Sequence, residues 1–366
     1  RYPIAVRGWS GVLTSSSTRL DGLVSVTDVA TGRLRAVETA DAAAVLERLD
    51  DRIERNDELR LPLTIVLAVV VLALAAFRPP LALRALLIAL GLNLWLEPWL
   101  ALAVAACAVL LPLGAACVVV LAAYLLSLGL TPETVALSPL GPSQSGRFYG
   151  INNLLETLLL VPALLGAALL PRLAVGVAAL ALLAVGGNRF GADGGGIVVL
   201  LTGCAVLWLR ATRRRPTPRL LAAAAAGVVL AGLVLNGIDA LTGGESHVTR
   251  AVGDGPRALA GDVADRLELS VRRATGGVGA LAVVLGGVAV LAGVALRTAP
   301  SPVRDAFLAA LAVSLLVNDT PTDVAGIGAV AAVALARAWP RLHEPRTPAL
   351  KPVFDPFVAS QGRRRR

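Results

Sequence analysis

The sequence has no methionine, one lysine (Lys351), two histidines, three cysteines and only 4% aromatic residues in 366. Each scarcity excludes something. Cys107, Cys117 and Cys204 lie inside apolar runs and form no CxxC, which excludes a disulfide-stapled module and the common zinc spacings. They read as small residues of helix cores. Charged residues make up 16% of the chain, against about 25% in an ordinary soluble domain. That excludes a disordered chain and a typical cytosolic enzyme. HExxH, GxSxG and Walker patterns are also missing. A chain that opens on Arg1 without methionine reads as processed or excerpted. No apolar run in the first 60 residues is long enough for a signal peptide.

What is abundant is apolar surface: 56% hydrophobic residues and a mean hydropathy of +0.74. The formal charge of +9 is carried by arginine. Those arginines punctuate apolar runs instead of clustering with aromatics, so the charge points away from nucleic acid and toward a lipid bilayer. A bilayer core takes about 20 apolar residues per helix, with a range of about 17–25. Eleven such spans are expected: about 61–77, 81–96, 99–113, 115–130, 151–170, 173–187, 195–210, 220–241, 276–296, 304–318 and 322–339. The third and fourth meet at Pro112-Leu113-Gly114 and would give ten spans if they formed one kinked segment. The expected fold class is therefore an all-α polytopic membrane protein.

Arginine placement orients the spans, because cytoplasmic loops carry excess Lys/Arg. Arg210, Arg213, Arg214, Arg215 and Arg219 put the loop between spans seven and eight inside. Alternation then places Arg78, Arg84, Arg172, Arg297, Arg304 and the basic tail on the same side. Eleven spans keep this alternation and ten would break it. The long loop 242–275 is the exception, with arginines diluted by acids. The expected location is a bacterial plasma membrane, with residues 1–60 outside, a helix bundle over 61–340 and a cytoplasmic tail over 341–366. Trp95 and Trp99 would mark the outer interface, Trp208 and Trp339 the inner one.

Residues 1–60 are polar and form a separate, small α/β segment. Strands are expected over Tyr2–Val6, Gly11–Leu13 and Leu23–Val26, and an amphipathic helix over Ala40–Leu59. So little structure buries little core, so the segment reads as the tail of a larger soluble domain.

With this topology, the costly polar residues gather toward the outer face. Asn152, Asn153 and Glu156 are spaced to share one helical face, with Glu156 inside the bilayer and Arg147 its nearest partner in sequence. Asp193 belongs to a glycine-rich loop, 186–196, suited either to close helix packing or to holding a ligand. Asp239, His247 and Arg250 follow span eight, and Asn318 and Asp319 end span ten. Together with Tyr149, these residues are expected to line one outward-facing cavity that binds substrate. Around 257–273, Leu259, Val263, Leu267 and Val271 form an apolar stripe, expected as a surface helix or a lid.

The run Arg147-Phe148-Tyr149-Gly150-Ile151-Asn152-Asn153, with Glu156, the glycine-rich 191–196 and Asn318-Asp319, resembles a family of uncharacterised bacterial polytopic membrane proteins. Some members carry an extracytoplasmic alkaline-phosphatase/sulfatase-like domain ahead of the helices. Residues 14–29 look similar to the closing strand region of such a domain, although Thr31-Gly32 stands where the family usually has Pro-Thr. The resemblance implies no cofactor in this chain and a divalent metal in a domain upstream. It also implies the membrane module of a phosphoryl or phospho-alcohol transferase-like protein acting on a lipid-linked or phosphorylated envelope substrate. Two other readings remain open: a secondary transporter or lipid flippase, and a structural or assembly protein.

Overall fold

The computed structural model describes residues 4–343, apart from 16, 145–147, 188, 215–216, 221, 224–225, 228–229, 232–233 and 235–255. The architecture is helical, with one two-stranded sheet among the described residues. In that sheet β1 (Val12–Thr14) pairs antiparallel with β2 (Arg35–Val37), Leu13 opposite Ala36.

The N-terminal segment differs from expectation in three places: residues 4–6 of the first expected strand form none, β2 is not among the expected strands, and the third expected strand is a helix start. Leu23–Val26 is not a strand. Ser25 instead caps a short helix, α1 (Val26–Thr31), in a capping box: its hydroxyl accepts the Asp28 amide while the Asp28 carboxylate accepts the Ser25 amide. Gly32 closes α1 in the left-handed region at φ 66°. The Asp28 carboxylate also accepts hydrogen bonds from the hydroxyls of Ser15 at 2.8 Å, Ser25 at 2.6 Å and Ser17. Burial pushes its pKa up, but the bonds from Ser17, Ser25 and Ser15 outweigh that and leave it below the usual aspartate value. The helix expected over 40–59 continues without a break into the first apolar span as α2 (Ala42–Phe77), opened by an Asp41 cap at 2.9 Å.

The membrane part follows as α3 (Pro79–Leu92), α4 (Pro98–Leu110), α5 (Leu113–Leu130), α6 (Pro132–Ala136), α7 (Asn153–Leu169), α8 (Ala174–Gly186) and α9 (Gly194–Ala211). After the undescribed stretch come α10 (Pro256–Thr275), α11 (Val278–Arg297), α12 (Pro302–Val317) and α13 (Pro321–His343). Proline opens α3, α4, α6, α10, α12 and α13, at a position where its missing N–H costs nothing and its fixed φ suits the first turn.

Among the described residues, five helices are long and apolar enough to cross a membrane: α2, α5, α9, α11 and α13. A sixth crossing is added if α7 and α8, bent by 112° at their junction, count as one. The expected eleven spans are thus met only as a helical membrane class, not as a count. Two things account for this: α3 and α4 have 14 and 13 residues, about 20 Å at 1.5 Å per residue, against a hydrocarbon core of about 30 Å, and the eighth expected span, 220–241, lies largely outside the described residues.

The core centres on α7, whose residues from Leu154 to Ala167 are all buried. It packs against α5, α8, α9, α12 and α13. Peripheral helices turn apolar side chains outward: Val278 is 88% exposed, Leu296 86% and Leu110 80%. A water-soluble protein rarely exposes so much apolar surface, whereas lipid covers it without cost.

Helix termini are tied together in two groups. At one end, Asn93 donates to Ser138 Oγ at 2.9 Å and to Tyr124 OH at 3.2 Å, and accepts the Leu140 amide at 3.1 Å. At that end also, Ile151 N donates to Gly191 O at 2.8 Å, so the start of α7 and the loop after α8 lie side by side. The N-terminal segment belongs here: Asn56 donates to Leu137 O, and Leu20, Ile53, Ala136 and Leu137 form a small apolar cluster. At the other end, Arg84 donates to the carbonyls of Ala108, Val109 and Leu111. Asp305 takes Arg210 at 2.8 Å and Arg304 at 2.5 Å.

Candidate functional site

At the first end, a cluster of polar residues gathers around three breaks in helix: the start of α7, the glycine-rich start of α9, and the α12–α13 turn. Glu156 is fully buried, and its Oε2 accepts a hydrogen bond from Asn318 Nδ2 at 2.7 Å. The same amide nitrogen donates to Ser314 Oγ at 2.8 Å. One turn toward the end, Asn153 Nδ2 donates to Thr320 Oγ1 at 2.8 Å and to Asp319 Oδ1 at 3.2 Å. Asn153 and Glu156 are three residues apart and so face the same neighbours, the residues of the α12–α13 turn.

Arg273, in the last turn of α10, reaches across this turn. Its guanidinium donates to Asp319 Oδ2 at 2.7 Å and to Asp319 O at 3.1 Å. Asp323, on the first turn of α13, lies within electrostatic range of Arg60 and Arg273. Asp193 is buried beside the cluster. The two are joined through Gly195, where an added Cβ would sit 2.6 Å from Asn318 Oδ1 and 3.6 Å from Asp193 Oδ1. Only glycine admits this approach of α9 to the α12–α13 turn. Its neighbour Gly196 would place a Cβ 2.5 Å from Val185 and 3.2 Å from the Asp193 carboxyl.

Of the expected site residues, Asn153, Glu156, Asn318 and Asp319 meet in one hydrogen-bonded cluster, with Asp193 adjacent. Asn152 does not join them. Its carbonyl oxygen caps α7 by accepting the Leu155 amide at 2.9 Å, and its amide donates to Gly141 O at 2.6 Å. The N-cap position lies outside the helix, so the expected shared face begins at Asn153. Tyr149 turns to the N-terminal segment, with the Arg19 guanidinium 4.1 Å from its ring centroid. Arg19 also donates to Arg189 O at 3.1 Å. Arg147, Asp239, His247 and Arg250 lie outside the described residues.

Sequence reasoning missed Arg273, Ser314 and Thr320 as members of the cluster. It also missed the Asn93–Tyr124–Ser138 network that pins the 135–141 loop. Arg273 carried a signal, being the last arginine of an amphipathic helix that ends just before a membrane span. Asn93 carried a weaker one, as a lone amide at the end of an apolar run. Among the described residues no group of three or more His, Cys, Asp or Glu side chains could hold a metal ion.

No protein-family model, no curated protein and no solved structure matches the chain. The functional reading rests on the geometry.

Proposed function

We propose that this chain is the membrane module of an envelope protein that holds a lipid-linked phosphorylated substrate at its polar end, for phosphoryl or phospho-alcohol transfer by a domain preceding residue 1. One observation carries the reading. The polar cluster of Asn153, Glu156, Asn318, Asp319 and Arg273 lies at the same end on which the N-terminal segment docks. A substrate anchored in the bilayer would then meet the soluble part directly above it. The helix starts of α7, α9 and α13 converge there, and the positive ends of their dipoles favour an anionic head group. Arg273 would exchange its bond to Asp319 for one to phosphate.

We place this end outside a bacterial plasma membrane, with eleven crossings. In support, the helices from α2 to α9, α6 aside, and again from α11 to α13 run alternately between the two groups of termini, and the arginines Arg78, Arg84, Arg172, Arg210 and Arg304 all fall at the opposite end. Short helices such as α3 and α4 cross by thinning the bilayer locally. The test is retention of polyprenyl phosphate by the purified full chain in nanodiscs. Wild type should retain it in preference to the uncharged polyprenol, and R273Q and N318A should each weaken retention about tenfold or more. Equal retention of the two lipids by wild type overturns the reading.

A second reading, a secondary transporter, is favoured by one feature. Glu156 is buried on a helix that is sharply bent from its successor, as in transporters whose sites lie at broken helices. Proton- or sodium-driven flux in proteoliposomes that E156Q abolishes would select it over the first.

A further inference from the structure

The opposite end of the bundle carries a second basic feature that the polar cluster does not use. Helix α9 stops at Thr212 in a Schellman turn: the Arg214 amide donates to Leu209 O at 3.0 Å and the Arg213 amide to Arg210 O at 3.3 Å. The residue in the left-handed region is Arg213, at φ 53°, where glycine is the usual choice. A residue with a Cβ is strained there. The turn sends Arg214 back over Trp208, its guanidinium 5.0 Å from the ring centroid.

Arg214 and Arg219, with Thr217, Leu220 and Ala223, line a shallow, open groove of about 470 Å³. Within this arginine turn the charges are treated differently. Arg210 is neutralised by Asp305 at 2.8 Å. Arg214 and Arg219 make no ion pair with a carboxylate among the described residues. Arg214 and Arg219 thus share this space with Leu220 and Ala223, and Arg214 reaches it beside a tryptophan that is 45% exposed. Phosphate above, acyl chain below and an aromatic at the boundary is the layout of a lipid at the interface.

We propose that this groove binds an anionic phospholipid of the bilayer, its phosphate held by the guanidinium forks of Arg214 and Arg219 and its acyl chain lying along Leu220 and Ala223. A purely topological role for the arginines would need their charge alone. It would need neither the groove, nor the stacking on Trp208, nor a strained Arg213. Arginine suits the task because its planar fork engages phosphate through two bonds and it desolvates more readily than lysine.

The experiment is native mass spectrometry of the full chain in detergent, titrated with phosphatidylglycerol, with phosphatidylcholine and with inorganic phosphate. Wild type should retain phosphatidylglycerol over phosphatidylcholine, and millimolar inorganic phosphate should not displace it. R214Q/R219Q should weaken phosphatidylglycerol binding about thirtyfold, from the attraction of about two basic residues to an anionic lipid. R48Q/R52Q, which removes the same charge from the exposed start of α2, should leave it unchanged. Should R214Q/R219Q fail to insert, R214K/R219K keeps the charge and should still bind at least threefold more weakly than wild type. Equal retention of the two lipids by wild type, displacement by inorganic phosphate, or undiminished binding by either double variant overturns the proposal.

Discussion

Asn318→Ala is the most informative single change in the polar cluster. Asn318 is 3% exposed, and its amide nitrogen makes two bonds, to Glu156 Oε2 at 2.7 Å and to Ser314 Oγ at 2.8 Å. In soluble proteins such a bond contributes about 1 kcal/mol, or about 1.5–3 when one partner is charged. Between membrane helices the measured average is about 0.6 kcal/mol with a maximum of about 1.7. Two bonds therefore set the expected loss at about 1–3 kcal/mol. Glu156→Gln keeps the shape and an acceptor oxygen for Asn318, so it should cost less than about 1 kcal/mol. The assay is reversible unfolding of the full chain in mixed micelles, with a double-mutant cycle of N318A and E156A. A shared bond gives a coupling of about 0.5–2 kcal/mol. If the two losses add to within about 0.3 kcal/mol, the bond between α7 and the α12–α13 turn contributes nothing, and the cluster as described is wrong.

Three other outcomes follow from the packing and the N-terminal segment. Gly287→Leu should weaken the docking of α11 on α13, since even a Cβ there would lie 2.5 Å from Ala325 O; a cost of about 1–3 kcal/mol should register in the same unfolding assay. Asn93→Leu removes both donors and the acceptor that hold Ser138, Tyr124 and Leu140, and should raise proteolytic cleavage in the 135–145 loop at least severalfold. The pKa of Asp28 is lowered by folding, so its contribution to stability is fully present above the unfolded value of about 4 and is lost as pH falls through the lower folded value. Amide exchange over residues 12–37 should accelerate below about pH 4 in wild type and be fast and much less pH-dependent, beyond the intrinsic chemistry, in Asp28→Asn.

Much of the fold was legible because membrane helices declare themselves by composition. The apolar run at 61–77 is the second half of α2, and the run at 276–296 matches α11 to within two residues at its start and one at its end. Proline and the capping residues set the helix starts close to where the pattern puts them. What the pattern could not supply was the number of crossings, since a run of 13 apolar residues is compatible with a short crossing or with a helix that stops midway. The misread element at Leu23–Val26 shows a local rule overriding β propensity. Three of its four residues suit a strand, but Ser25 and Asp28 at capping-box spacing start a helix instead. The site was half legible for a similar reason. Glu156 and Asn318 are conspicuous because polar residues are costly in lipid. Their partners Arg273 and Ser314 are ordinary residues of their own helices, and their role depends on a register between distant segments that no spacing encodes.

The bond between Asn318 and Glu156 joins residues 162 apart in the chain, and the one between Asn153 and Asp319 spans 166. At about 5–20 residues per second, the ribosome completes Asn318 about 10–30 s after Glu156. The central helix α7 thus enters the membrane, and waits there, well before α12 and α13 exist. For that interval the nascent chain is a partly assembled bundle with a carboxylic acid in its interior. A chain that stalls before α12 should stay in this state, recognisable to membrane proteases as incomplete.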